Sequence, residues 1–87
     1  MSYSLYLSRQ AEKDKRLIVE GGLGAKVRML CEILQTNPFQ NPPPYEKLRG
    51  HLEGKYSRRI NIHHRLLYEV DEEKKAVYVL RMWTHYE

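Results

Sequence analysis

The sequence predicts an α+β domain: an N-terminal strand, a two-helix hairpin, and a four-stranded, mainly antiparallel sheet carrying both helices on one face. Three observations point there. Between residues 59 and 70, Ile60, Ile62, Leu66, Tyr68 and Val70 share one parity, while Arg59, Asn61, His63, Arg65 and Glu69 share the other. That alternation is a strand with an apolar and a polar face. Leu23, Val27, Leu30, Cys31 and Leu34 instead recur at spacings of four, three, one and three, which is one stripe along a helix. "AVYVLRMWT", residues 76–84, is a further run of strand-forming residues. With 87 residues, 41% hydrophobic and 10% aromatic, residues 1–87 are expected to form one folded domain.

Taken in order, "YSLYLS" (3–8) alternates and reads as the first strand. Ser8 is placed to cap a helix through "RQAEKDKRLIVE", whose apolar positions are Ala11, Leu17, Ile18 and Val19. "GGLG" (21–24) interrupts it, because glycine weakens a helix and permits a turn. Met29 and Ile33 widen the stripe of the second helix, which should stop at "TNP", where Pro38 disfavours a helical Asn37. Residues 38–56 hold all four prolines and read as a surface loop with at most one helical turn. Strands follow at 56–62 and 65–71, joined near His63-His64, and then "DEEKK" as a polar turn. In the last strand Tyr78, Leu80 and Met82 are expected to face the core, with Val77, Val79, Arg81, Trp83 and His85 opposite.

Charge is unevenly spread. The net value is +4, yet residues 45–65 alone carry six Lys/Arg against two Asp/Glu, while residues 66–87 carry three against five. A basic patch on an open sheet face suits a polyanion such as RNA. The lone Cys31 cannot staple the chain, no apolar run is long enough to cross a bilayer, and the start lacks a signal-peptide pattern, so a cytoplasmic protein is expected. His63 and His64 point apart in their turn, and no metal site or cofactor is expected.

RNA can be cut without a metal. The ribose 2′-OH attacks the adjacent phosphorus if a base takes its proton, cations hold the added charge, and an acid protonates the departing 5′ oxygen. Glu46 in the basic loop, Arg59 and Arg65 on one sheet face, and His85 on the final strand supply those groups.

The run "YEKLRGHLEGKYSRRINIHHRLLYEV", with "THYE" ending the last strand, resembles the Txe/YoeB toxins of the RelE superfamily. The resemblance is carried by Pro44, Glu46, Leu48, Leu52, Gly54 and Ser57-Arg58-Arg59-Ile60, then by "HRLLYEV" and His85-Tyr86. It is close over 38–87 and looser before that. It implies a RelE-like fold and a ribosome-dependent mRNA endonuclease acting in the ribosomal A site. By position Glu46 would be the general base, His85 the general acid, and Arg65 the holder of the scissile phosphate. Arg49 and Arg59 would support substrate binding, Tyr86 would stack on RNA, and Lys47, Lys55 and Arg58 would grip ribosomal RNA. The family also implies a cognate antitoxin of YefM/Phd type lying across the basic face, and a homodimer by analogy. Two rival readings are an inactive ribosome- or RNA-binding module on this scaffold, and a ParE-like poison of a topoisomerase.

Overall fold

The computed structural model describes residues 2–83, of Trp83 only the backbone. Strand β1 (Ser4–Leu7) passes through Ser8 into helix α1 (Arg9–Ile18). Ser8 caps the helix as expected: its Oγ accepts the Ala11 N–H at 3.0 Å. The buried face of α1 is Ala11, Asp14 and Ile18, whereas Leu17 and Val19 are exposed. An acid thus occupies the middle of a stripe that the apolar pattern alone would not complete. Asp14 does so because it is fully occupied, accepting from Arg81 Nε at 2.8 Å and from the Met82 N–H at 3.0 Å.

After α1 the chain makes a five-residue π-type turn (Val19–Leu23), inside which Gly22 has φ +94°, and continues as α2 (Gly24–Thr36). Only glycine adopts that dihedral cheaply, which is why the "GGLG" run sits here. α1 lies on strand β5 and α2 on β1, and the two arms meet mainly through the turn between them. One helical stretch bent at Gly22 therefore replaces the expected two-helix hairpin. α2 buries Val27, Leu30 and Leu34 as its spacing predicts, with Leu23 and Cys31 half-buried beside them. Met29 faces solvent rather than widening the stripe.

Among the described residues the sheet has five strands rather than four: β1, β2 (Tyr45–Lys47), β3 (Tyr56–Arg59), β4 (Arg65–Asp71) and β5 (Ala76–Trp83). Their spatial order is β1-β5-β4-β3-β2, with β1 parallel to β5 and the remaining pairs antiparallel. The added strand is β2, three residues hidden in the proline-rich loop and too short to show alternation. A 3₁₀ turn, Gly50–Leu52, separates it from β3.

Two further expectations change. β3 stops at Arg59, and a turn follows in which Ile60 N–H donates to His64 O at 2.8 Å while Asn61 Oδ1 accepts from the backbone of His63 and His64. Ile60 remains in the core, but Ile62 is 77% exposed at the turn. In β5, Leu67 pairs with Arg81 and Tyr68 with Val79, so Leu80 is an extra residue in a bulge. Val77 and Val79 face the core before the bulge and Met82 after it, inverting the expected facing of residues 77–80. Where β1 ends opposite Val79, α1 takes over the edge of β5. Ser8 N–H donates to Val79 O at 3.0 Å, Ser8 Oγ donates to Leu80 O at 2.9 Å, and Asp14 accepts from Met82.

Candidate active site

The face of the sheet turned away from the helices carries the predicted chemistry. Glu46 on β2 is in register with Ser57 on β3, which is opposite Leu67 on β4. Arg59 and Arg65 are direct cross-strand neighbours. Arg65 Nη1 reaches across β3 to donate to Glu46 Oε1 at 2.5 Å and to Ser57 Oγ at 3.2 Å. These residues line a cleft of about 170 Å³ together with Pro44 and Tyr45. Glu46, Arg59 and Arg65, chosen from sequence, thus converge.

The electrostatics of this cleft are unbalanced. Two arginines are cross-strand neighbours, a repulsive pairing, and the Glu46 carboxylate on β2 contacts Arg65. Arg59 is exposed and makes no ion pair among the described residues. The Glu46 side chain is 64% exposed, so its pair with Arg65 is a surface ion pair, worth about 1 kcal/mol or less. An incoming phosphate would relieve the arginine repulsion and compete for Arg65 on favourable terms, since a planar guanidinium matches an oxyanion with paired hydrogen bonds.

A second hollow of about 400 Å³ is lined by Lys47, Leu48, Arg49 and Glu53, so two of the predicted cations share it. Lys55 is half-buried and paired with Glu69 at 3.4 Å. Glu46 takes Arg65 and Glu69 takes Lys55. His85 and Tyr86, the predicted acid and stacking residue, lie outside the described residues.

Arg58 requires a correction. Expected to grip RNA, it is instead 1% exposed on the opposite face of β3. Its guanidinium donates to the carbonyls of Pro43 at 2.7 Å, Pro38 at 2.9 Å and Gln40 at 2.8 Å, and lies 5.1 Å from the Tyr45 ring centroid. Tyr68 OH adds a bond to Pro38 O at 2.9 Å. Prolines supply acceptors but no N–H donors, so a buried multi-donor group is what such a loop needs. Arg58 is therefore the internal clasp of residues 38–43, and by holding that loop it sets where β2 and Glu46 lie.

Sequence reasoning missed two polar residues, one in the site and one in the fold. Ser57 shares the parity of Arg59, which was the available signal, and it touches Arg65 directly. Asp14 was legible only as the middle of an 11, 14, 18 helical stripe.

Comparison with known proteins shows the family. The family model of the YoeB-like toxin of bacterial type II toxin-antitoxin systems matches residues 6–86. A Toxin YoeB of Synechocystis sp. is 30% identical over 87 residues, covering 100% of this chain and 91% of the relative. Toxin YoeB of Escherichia coli K12 is 33% identical over 80 residues, covering 92% and 87%. Among solved structures, a YoeB/ParE toxin from Agrobacterium tumefaciens superposes with TM-score 0.86 at 25% identity, covering 95% of this chain and 99% of that one. The toxin in the YoeB-YefM heterotetramer of Staphylococcus aureus gives 0.80 at 29% identity, covering 99% and 100%. A RelE-like α+β fold, a cationic open face and a family match over nearly the full length lead to one conclusion: this chain belongs to the YoeB-like toxins of bacterial type II toxin-antitoxin systems.

Proposed function

We propose that this protein is a ribosome-dependent mRNA endoribonuclease that cuts in the ribosomal A site without a metal. The observation that supports it most directly is the Glu46–Arg65 contact at 2.5 Å, flanked by Arg59 on the face that the helices leave open. In this reading Arg65 and Arg59 take the scissile phosphate, releasing Glu46 to accept the 2′-OH proton. The oxygen attacks phosphorus, the charge developing on the phosphorane is held by the two guanidinium groups, and the P–O5′ bond breaks. His85 would protonate the leaving 5′ oxygen, giving a 2′,3′-cyclic phosphate and a free 5′-OH. Arg49 extends substrate binding, Tyr86 stacks on the RNA, and Lys47 and Lys55 contact ribosomal RNA.

The partners follow from the same reading. A YefM/Phd-type antitoxin would cover the open face, acidic groups competing with RNA for Arg59 and Arg65. The staphylococcal relatives solved as a YoeB-YefM complex and as a YoeB dimer support an antitoxin partner and a homodimer here. Action on translating ribosomes places the protein in the cytoplasm; among the described residues no helix is long and apolar enough to cross a membrane.

The test is translation of a defined mRNA in a purified system, with cuts mapped by primer extension. Wild-type protein should cut only ribosome-bound message, and Glu46→Ala, Arg65→Ala and His85→Ala should each lose at least about a hundredfold in rate. Equal cutting of naked RNA, or full activity in these variants, would refute the assignment. A supercoiling assay run in parallel reads out the topoisomerase alternative.

A further inference from the structure

We propose that Ser57 is a positioning residue that keeps the Arg65 guanidinium on the sheet when an RNA phosphate displaces Glu46; this rests on the nuclease reading above. Arg65 Nη1 has two acceptors of unlike character. Glu46 sits on a three-residue edge strand with its side chain 64% exposed, so it is the partner free to leave. Ser57 is 1% exposed on β3, a strand paired on both sides, and its short side chain keeps the hydroxyl close to the sheet.

The chemistry needs this asymmetry. A carboxylate accepts a proton more readily once a guanidinium has left it, and when that contact breaks a long arginine side chain loses its charged anchor. Arg59, directly across the strand pair, would push an unanchored guanidinium toward solvent. A neutral hydroxyl acceptor holds the group without cancelling its charge, leaving that charge for the phosphorane. Alanine at this position would remove the anchor, and threonine would keep it on a side chain suited to a strand.

The experiment has two arms, with thermal denaturation as the check that each variant is folded. In the first, the Arg65 side-chain N–H signals are followed by NMR in Glu46→Ala and in Glu46→Ala/Ser57→Ala protein. Hindered rotation of the guanidinium should persist in the single variant and vanish in the double. In the second, cleavage on programmed ribosomes should show Ser57→Ala about tenfold slower in kcat with KM nearly unchanged, and Ser57→Thr close to wild type. Wild-type kcat in Ser57→Ala, or equal averaging of the Arg65 signals in both NMR samples, would overturn the role of Ser57 while leaving the nuclease assignment intact. Undiminished cutting by Arg65→Ala would overturn both.

Discussion

Asp14 Oδ2 accepts the backbone N–H of Met82 at 3.0 Å, joining the second turn of α1 to the last strand just beyond its bulge. The same carboxylate holds Arg81 Nε at 2.8 Å and takes Gln10 Nε2 at 3.1 Å. Asp14→Ala would remove the acceptor of the Met82 amide and one ion-pair partner of Arg81. A loss of about 2–3 kcal/mol in urea unfolding is expected.

Acid should weaken the same joint. Burial pushes the Asp14 carboxyl upward, but the hydrogen bonds from Arg81, Met82 and Gln10 outweigh it and hold the group below its ordinary 3.8. A carboxyl lowered by folding contributes stability that is present above the ordinary value and disappears as pH falls through the lowered one. Unfolding free energies measured from pH about 5 downward should show that decline in wild type. Asp14→Asn, which keeps an acceptor for Met82 but no titrating group, should lack this component.

At the alkaline end the sensitive group is Tyr68. Burial pushes its phenol up to about 12, partly offset by Arg58 nearby. Its proton is held by Pro38 O at 2.9 Å. For a group raised by folding, stability is complete below the unfolded pKa and lost above it, here between pH about 10 and 12, and about 3 kcal/mol is at stake. Tyr68→Phe should abolish this alkaline component and cost about 1 kcal/mol at neutral pH through the lost hydrogen bond, Pro38 O keeping only the one from Arg58.

Arg58 separates a structural from an RNA-binding role. Arg58→Lys loses the planar fork that serves three carbonyls at once, and should destabilise by about 2–4 kcal/mol. Its cleavage rate should fall through misplacement of Glu46. A direct RNA contact would instead leave the melting temperature unchanged and alter the salt dependence of binding.

Gly22 and Gly21 form an internal control for the bend in the helical stretch. At neither position would a side-chain methyl come within 4 Å of an atom beyond its chain neighbours and the helix's own backbone, so space is not the issue. At Gly22 the φ of +94° makes alanine strained by about 1 kcal/mol or more, whereas Gly21→Ala should be neutral or stabilising by about 0.5 kcal/mol. Thermal melts of the two variants should move apart.

Much of this was readable from periodicity. Val27, Leu30 and Leu34 of α2 and Leu66 and Tyr68 of β4 are in the core as their spacing predicts, although Leu67 is buried as well and Met29 is not. β5 does not keep one period: the extra Leu80 switches its faces midway, and a single-period reading inverts the residues before it. β2 was hidden because three residues cannot display an alternation, and its existence depends on a loop clasp formed by a residue fifteen positions away from Pro43. Arg58 and Arg59 are chemically identical neighbours in "SRRI", so only their opposite parity distinguishes a buried clasp from an exposed cation. Asp14 was missed because an acid in a core stripe is rare unless long-range partners meet it, and those partners lie more than sixty residues ahead.

The parallel pairing of Ser4–Leu7 with Ala76–Val79 has a bearing on how a cell makes such a protein. Strand β1 has no neighbour until β5 has been synthesised, and β4 likewise waits for β5 on its other edge. Non-local pairing of this kind delays assembly of the sheet until β5 has left the ribosome. The nascent polypeptide therefore stays unassembled near the very machine that we propose the finished toxin attacks.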